Sequence, residues 1–186
     1  MPLHADALRD SSPALAKGRL VVASEESNDP NFAGSVVLII AYSAQGAAGL
    51  IINRPSPVTL SETLPGIDGL LHSSERAYLG GPVARGQSFV LIRSAQPLEN
   101  AKRVFDDVYV STDRPLLEKL LADPSAAGSF RVYIGYAGWA PKQLDHELAR
   151  GGWQVVSADA ESIFNDKPEA VWEKLHQANR GQMVRA

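Results

Sequence analysis

Residues 35–55 read SVVLIIAYSAQGAAGLIINRP. The first run, 35–42, is rich in β-branched residues and almost wholly apolar, the pattern of a strand buried on both faces. The second run, AAGLIIN at 47–53, is nearly as apolar. SAQG at 43–46 leaves only a turn between them, so the two runs are expected to pair as an antiparallel hairpin. The second run ends abruptly: Leu50, Ile51 and Ile52 lead straight into Asn53, Arg54 and Pro55. Pro55 forces Arg54 out of helical geometry and stops the strand.

Further strands follow from the same signals. RLVVAS (19–24), YLGG (78–81), SFVLIR (88–93), DVYVST (107–112), FRVYIGYAGW (130–139) and WQVVSA (153–158) read as strands. PVARGQ is short enough to make a hairpin of 78–81 and 88–93, while 98–106 is ambiguous. Thr59 and Glu62 have capping-box spacing and start a short helix. Asp113 caps RPLLEKLLAD, with Pro115 tolerated in its first turn. PKQLDHELAR is framed by Pro141 and Gly151, and Leu144 and Leu148 share one face. Asp166 and Glu169 offer a capping spacing before a helix whose apolar side carries Val171, Trp172 and Leu175. Strands dominate early, helices mix in later, and strict strand–helix alternation is missing. That order predicts α+β around a mixed sheet.

The chain has 186 residues, with 18 basic and 21 acidic side chains and no cysteine. Its length fits one domain able to bury roughly 70% of its unfolded surface. We expect a leader over 1–17, a single domain over 18–178 and a tail over 179–186. Without cysteine there is no disulfide, thiolate nucleophile or cysteine metal site. No stretch approaches a membrane span, and the N-terminal residues lack the pattern of a secretion signal. A cytoplasmic location is the expectation. Basic residues are scattered rather than gathered on one stretch, which argues against direct nucleic-acid binding.

The candidate binding residues sit at strand ends and turns. Arg54 offers a planar fork of donors suited to carboxylate or phosphate, and Asn53 beside it both donates and accepts. The competing reading is that Asn53 ties down a turn and Arg54 pairs with an internal acid. Gly80 and Gly81 allow close backbone approach to a ligand, or mark a tight turn or bulge. Asp29 and Asn31, in Asn28-Asp29-Pro30-Asn31, suit a ligand or a cation, or an Asx turn. Gln143 is placed near the mouth that Arg54 faces. Gly135 and Gly138 fit a bend better than a dinucleotide loop. Asp145-His146-Glu147 diverge around a helix and read as a solvated face. None of His4, His72, His146 and His176 lies in a metal or nucleophile motif. No catalytic set, metal site or cofactor is assigned.

NDPNFAGSVVLII (28–40), GAAGLIINRP (46–55), YLGGPV (78–83), FVLIRS (89–94) and GYAGWAPKQLDHELARGGW (135–153) together resemble the AlgH/YqgE-like family of bacterial proteins, in order and spacing, over about residues 18 to 175. The resemblance implies a bifurcated β-sheet partly closed into a small barrel, with helices around it. It implies little chemistry: the family carries a transcriptional-regulator label from a link to alginate production, and no catalytic residue set. Two positions depart from the family pattern. Tyr42 stands where His is usual, and Lys142 where Gly usually precedes the Gln-Leu pair.

These readings favour a binding or regulatory module, whose partner is another protein or a small anionic metabolite; oligomeric state is left open. One alternative is an enzyme acting on a small phosphorylated or carboxylated metabolite. Another, ranked low on charge and on the lack of a helix-turn-helix pattern, is a direct DNA-binding regulator.

Overall fold

A computed structural model describes residues 13–27, 29–67, 70, 75–165 and 167–183. Asn28, His4, His72, the Asp166 cap, most of the expected leader and the last residues of the expected tail lie outside them.

The hairpin at 35–55 is the centre of the fold. β2 (Val36–Ser43) and β3 (Gly46–Ile51) pair antiparallel, with Ser43 opposite Gly46. β1 (Arg19–Ala23) lies on the far edge of β2 and is followed outward by β10 (Trp153–Ser157). On the other side, β3 joins β9 (Phe130–Trp139), which continues to β6 (Val83–Arg93), β8 (Val108–Ser111) and β7 (Lys102–Phe105). β4 (Pro55–Thr59) and β5 (Arg76–Leu79) branch from this path at β9. The sheet is strongly curled into a half-barrel. Its pairs are antiparallel except β5 with β9, which is parallel.

The fork lies at β9. One edge of β9 is held by β6 from Phe130 to Tyr136. Along the opposite edge β5 pairs at Tyr133 and Ile134, and β3 takes over at Ala137 to Trp139. Gly80 sits between the two: its N–H donates to Ile134 and its carbonyl accepts from Ile51. A Cβ on Gly80 would come within 2.3 Å of the Gly135 carbonyl oxygen, and one on Gly81 within 2.1 Å of the Tyr136 carbonyl carbon. Backbones meet at the fork too closely for any side chain.

Strand alternation explains the continuous apolar runs. Leu20, Val22, Val36, Leu38, Leu50 and Ile52 pack on one face, which α5 (Val171–Met183) covers with Val171, Trp172 and Leu175. Val21, Val37, Ile39 and Ile51 point to the other face, covered by Leu144 and Leu148 of α3 (Gln143–Ala149). A third cluster lies under α1 (Leu60–Thr63) and α2 (Arg114–Ala122), with Leu60 and Leu117 against Val90, Ile92 and Val132. The caps at Thr59 and Asp113 form as their spacing predicts.

Four local expectations change. Segments 78–81 and 88–93 do not form a hairpin, because β9 lies between β5 and β6. PVARGQ is instead largely the irregular first half of a long β6. The proline-rich segment after Arg54, where Pro55 is expected to stop the strand, begins a new one, β4, paired only with β5, an edge position that tolerates proline. The ambiguous 98–106 contains β7, and Asp159 caps an unanticipated short helix, α4 (Ala160–Ile163).

Candidate functional site

Asn53 and Arg54 end β3 by tying down the segment that leads into β2. Asn53 Oδ1 accepts the Val36 N–H at 2.8 Å, and its Nδ2 donates to the Gly34 carbonyl at 2.9 Å. Arg54 Nη1 donates to the Asn31 carbonyl at 2.8 Å, and Nη2 to Ser35 Oγ at 3.1 Å and the Ala33 carbonyl at 3.4 Å. The fork of donors thus meets carbonyls and a hydroxyl rather than an internal acid. Partial burial lowers the Arg54 pKa from its ordinary value, yet a guanidinium stays charged in proteins.

The segment held by Arg54 has its own fold. Asp29 Oδ1 accepts the Asn31 N–H at 2.8 Å, an Asx turn, and the Asp29 carbonyl accepts the amides of Phe32 and Ala33 at 2.9 Å. This turn delivers Phe32 into an aromatic cluster. Its ring stacks on Trp139, with centroids 5.8 Å apart, and meets Trp153 edge-on at 5.4 Å.

Glu147 organises the cluster from α3. Its Oε2 accepts both indole N–H groups, from Trp139 at 3.0 Å and Trp153 at 2.8 Å. Its Oε1 accepts Gln143 Nε2 at 2.8 Å, and Gln143 Oε1 in turn accepts the Ala140 N–H at 3.0 Å. Beside this carboxylate opens a hollow of 260 Å³ lined by Ser27, Asp29, Phe32, Glu147, Arg150, Gly152 and Trp153. The chemistry available is a half-buried carboxylate, aromatic walls, a second carboxylate and one exposed guanidinium.

Several candidates of the sequence are therefore neighbours. Asn53, Arg54, Asp29 and Asn31 form one hydrogen-bonded unit, and the Leu79 N–H donates to the Arg54 carbonyl at 2.8 Å, which brings Gly80 and Gly81 alongside. The close approach at those glycines is made by β9, and of these residues only Asp29 lines the hollow. Gln143 braces Glu147 and makes no bond to Arg54. Glu147 is the residue that the sequence pattern passes over: Asp145-His146-Glu147 is a solvated face only at the exposed His146. Asp145 Oδ1 accepts the Tyr42 hydroxyl at 2.7 Å, a bond that raises the phenol pKa. The signal that points to Glu147 is its place one helical turn after Gln143, between two tryptophans that flank the helix. Lys142 takes the left-handed backbone, φ 64°, that a glycine would adopt freely.

A second hollow, of 420 Å³, is lined by Arg93, Glu161, Phe164, Asn165 and Lys167. It is less organised, because Arg93 is half exposed and turned to Asp107 at 2.8 Å. Among the described residues no three His, Asp or Glu side chains gather as metal ligands, and no helix is long and apolar enough to cross a membrane.

Comparison with known proteins agrees with this architecture. The AlgH-like family model (DUF179) matches residues 20–184. A UPF0301 protein of Anaeromyxobacter dehalogenans is 35% identical over 177 residues, covering 89% of this chain and 88% of its own. One from Myxococcus xanthus is 36% identical over 162 residues, covering 86% and 87%. The solution structure of the AlgH protein from Pseudomonas aeruginosa superposes with a TM-score of 0.73 at 30% identity, over 94% of this chain and 93% of that one. A crystal structure of a Corynebacterium diphtheriae protein shares the fold, with a TM-score of 0.74 at 24% identity over 91% and 90% of the two chains. The fork at β9, the strand-end motifs and these matches agree: the chain belongs to the AlgH-like family, a family of uncharacterised function.

Proposed function

We propose that the protein is a cytoplasmic binding module with a regulatory role, and that its ligand site is the hollow beside Glu147. The observation that carries this reading is the Glu147 carboxylate. Both tryptophans flanking α3 donate to it, and it still borders open space. A charge held at the base of a wall of aromatic rings is costly to keep for packing alone, since apolar side chains fill a core without desolvating a carboxylate. Asn53, Arg54 and the Asp29 turn then serve the site indirectly: they hold Phe32 in the wall. Any effect on transcription is indirect, through the ligand or a protein partner, in keeping with the net charge of −3.

Tryptophan fluorescence tests this reading. Trp172 lies on the opposite face of the sheet, bonded to the Ala23 carbonyl at 2.8 Å. A Trp172→Phe protein therefore reports on Trp139 and Trp153 alone. Screening small cations, anions and neutral metabolites should give saturable changes with at least one class, lost in Phe32→Ala. A flat response to every class would refute the site.

A further inference from the structure

We infer that the hollow beside Glu147 receives a cationic group, an alkylammonium or a guanidinium. The inference rests on the reading above, that this hollow is the binding site, and adds the ligand's chemistry. A carboxylate offers about four acceptor sites. Oε2 of Glu147 accepts two indole N–H groups and Oε1 accepts one amide N–H, which leaves about one site open on Oε1. All three donors are neutral, and among the described residues no Lys, Arg or His forms a direct ion pair with Glu147.

The walls suit the same ligand. The indole N–H of Trp153 is committed to Glu147 and its ring is almost wholly buried, so the aromatic surface of the hollow is chiefly that of the half-buried Phe32. Aromatic rings attract ammonium and guanidinium groups through their negative faces, by about 0.5–2 kcal/mol. Asp29 lies on the same lining with one carboxylate oxygen held by Asn31. Two carboxylates against the single guanidinium of Arg150 leave the lining net negative. At 260 Å³ the hollow is smaller than the roughly 300–1,000 Å³ of drug-sized sites, so it accepts one side-chain-sized group rather than a nucleotide.

The test titrates the Trp172→Phe protein, following the indole N–H resonances of Trp139 and Trp153. The probes are choline and its uncharged tert-butyl analogue, arginine amide and citrulline amide, acetate, inorganic phosphate, and an acetylated peptide bearing one internal Arg. We expect a cation of either pair to bind about tenfold more tightly than its neutral isostere. Glu147→Gln should weaken the cation by about tenfold, and Arg150→Ala, an exposed change that leaves the core untouched, should tighten it. A peptide tighter than arginine amide identifies a protein segment as the source of the cation; equal or weaker binding identifies a free small molecule. Binding of anions or neutral isosteres as tight as that of the cations overturns the inference and leaves the binding site standing. No response to any probe removes both.

Discussion

Arg54 reaches across the strand end to the carbonyl of Asn31 at 2.8 Å, and so fastens β3 to the turn that carries Phe32. The bond uses one arm of the guanidinium, while the other meets Ser35 and Ala33. Arg54→Lys keeps the charge but cannot span these acceptors with a planar fork. We predict a loss of about 1–3 kcal/mol for Arg54→Ala, and a smaller loss for Arg54→Lys. Thermal unfolding would register about 2–4 °C per kcal/mol in a chain of this size.

Glu147 holds two indole donors whose rings are almost fully buried. Glu147→Ala strands both, at about 1–3 kcal/mol for each buried unpaired donor. Glu147→Gln retains an acceptor oxygen and should cost less than half as much. Chemical denaturation of the two variants, at unchanged m-value, checks the ordering.

Glycines at the fork and in the lead-in turn should respond differently. Gly81→Ala places a Cβ 2.1 Å from the Tyr136 carbonyl carbon, so β9 would have to move. We expect a loss above about 4 kcal/mol, or failure to fold. Gly34, at φ +67°, has open space where a methyl group would sit, with no atom within 4 Å. Gly34→Ala should cost only left-handed strain, about 1–2 kcal/mol. Denaturant midpoints of the two variants compare these costs directly.

Tyr42 gives an alkaline signature. Its hydrogen bond to Asp145 raises the phenol pKa above the usual 10.0. The neutral phenol is therefore favoured in the folded protein. The contribution is fully present below the ordinary tyrosine range and is lost as pH rises through the raised folded value. Phenolate absorbance should show Tyr42 titrating late, alongside Tyr133, whose complete burial also raises its pKa, and Asp145→Asn should bring Tyr42 alone back toward the ordinary range. Tyr42→Phe should remove that part of the alkaline loss of stability.

Local signals carried much of the fold. The turn at 43–46, the capping box at Thr59 and Glu62, the Asp113 cap and the Pro141–Gly151 frame depend on residues close in sequence, and each appears where its spacing placed it. The sheet path was not legible in the same way. Nothing near Gly80 indicates that residues 130–139 will insert between β5 and β6, because that choice is made by long-range pairing. PSPVT was not legible as a strand, because prolines on an edge strand look like prolines in a loop. At the site, the pattern drew attention to Arg54, a conspicuous charge after an apolar run. It passed over Glu147, whose importance comes from Trp139 and Trp153, brought together only when α3 folds back between their strands.

The most direct measurement is the set of nuclear Overhauser contacts from the Phe32 ring to Trp139 and Trp153, recorded in the native protein and in Arg54→Ala. Strong contacts to both indoles are expected in the native protein. They should weaken or vanish in Arg54→Ala while contacts within the β2–β3 hairpin persist. Unchanged Phe32 contacts in a folded Arg54→Ala protein would contradict the bracing role of Arg54, and would return it to the role of a residue kept for a ligand.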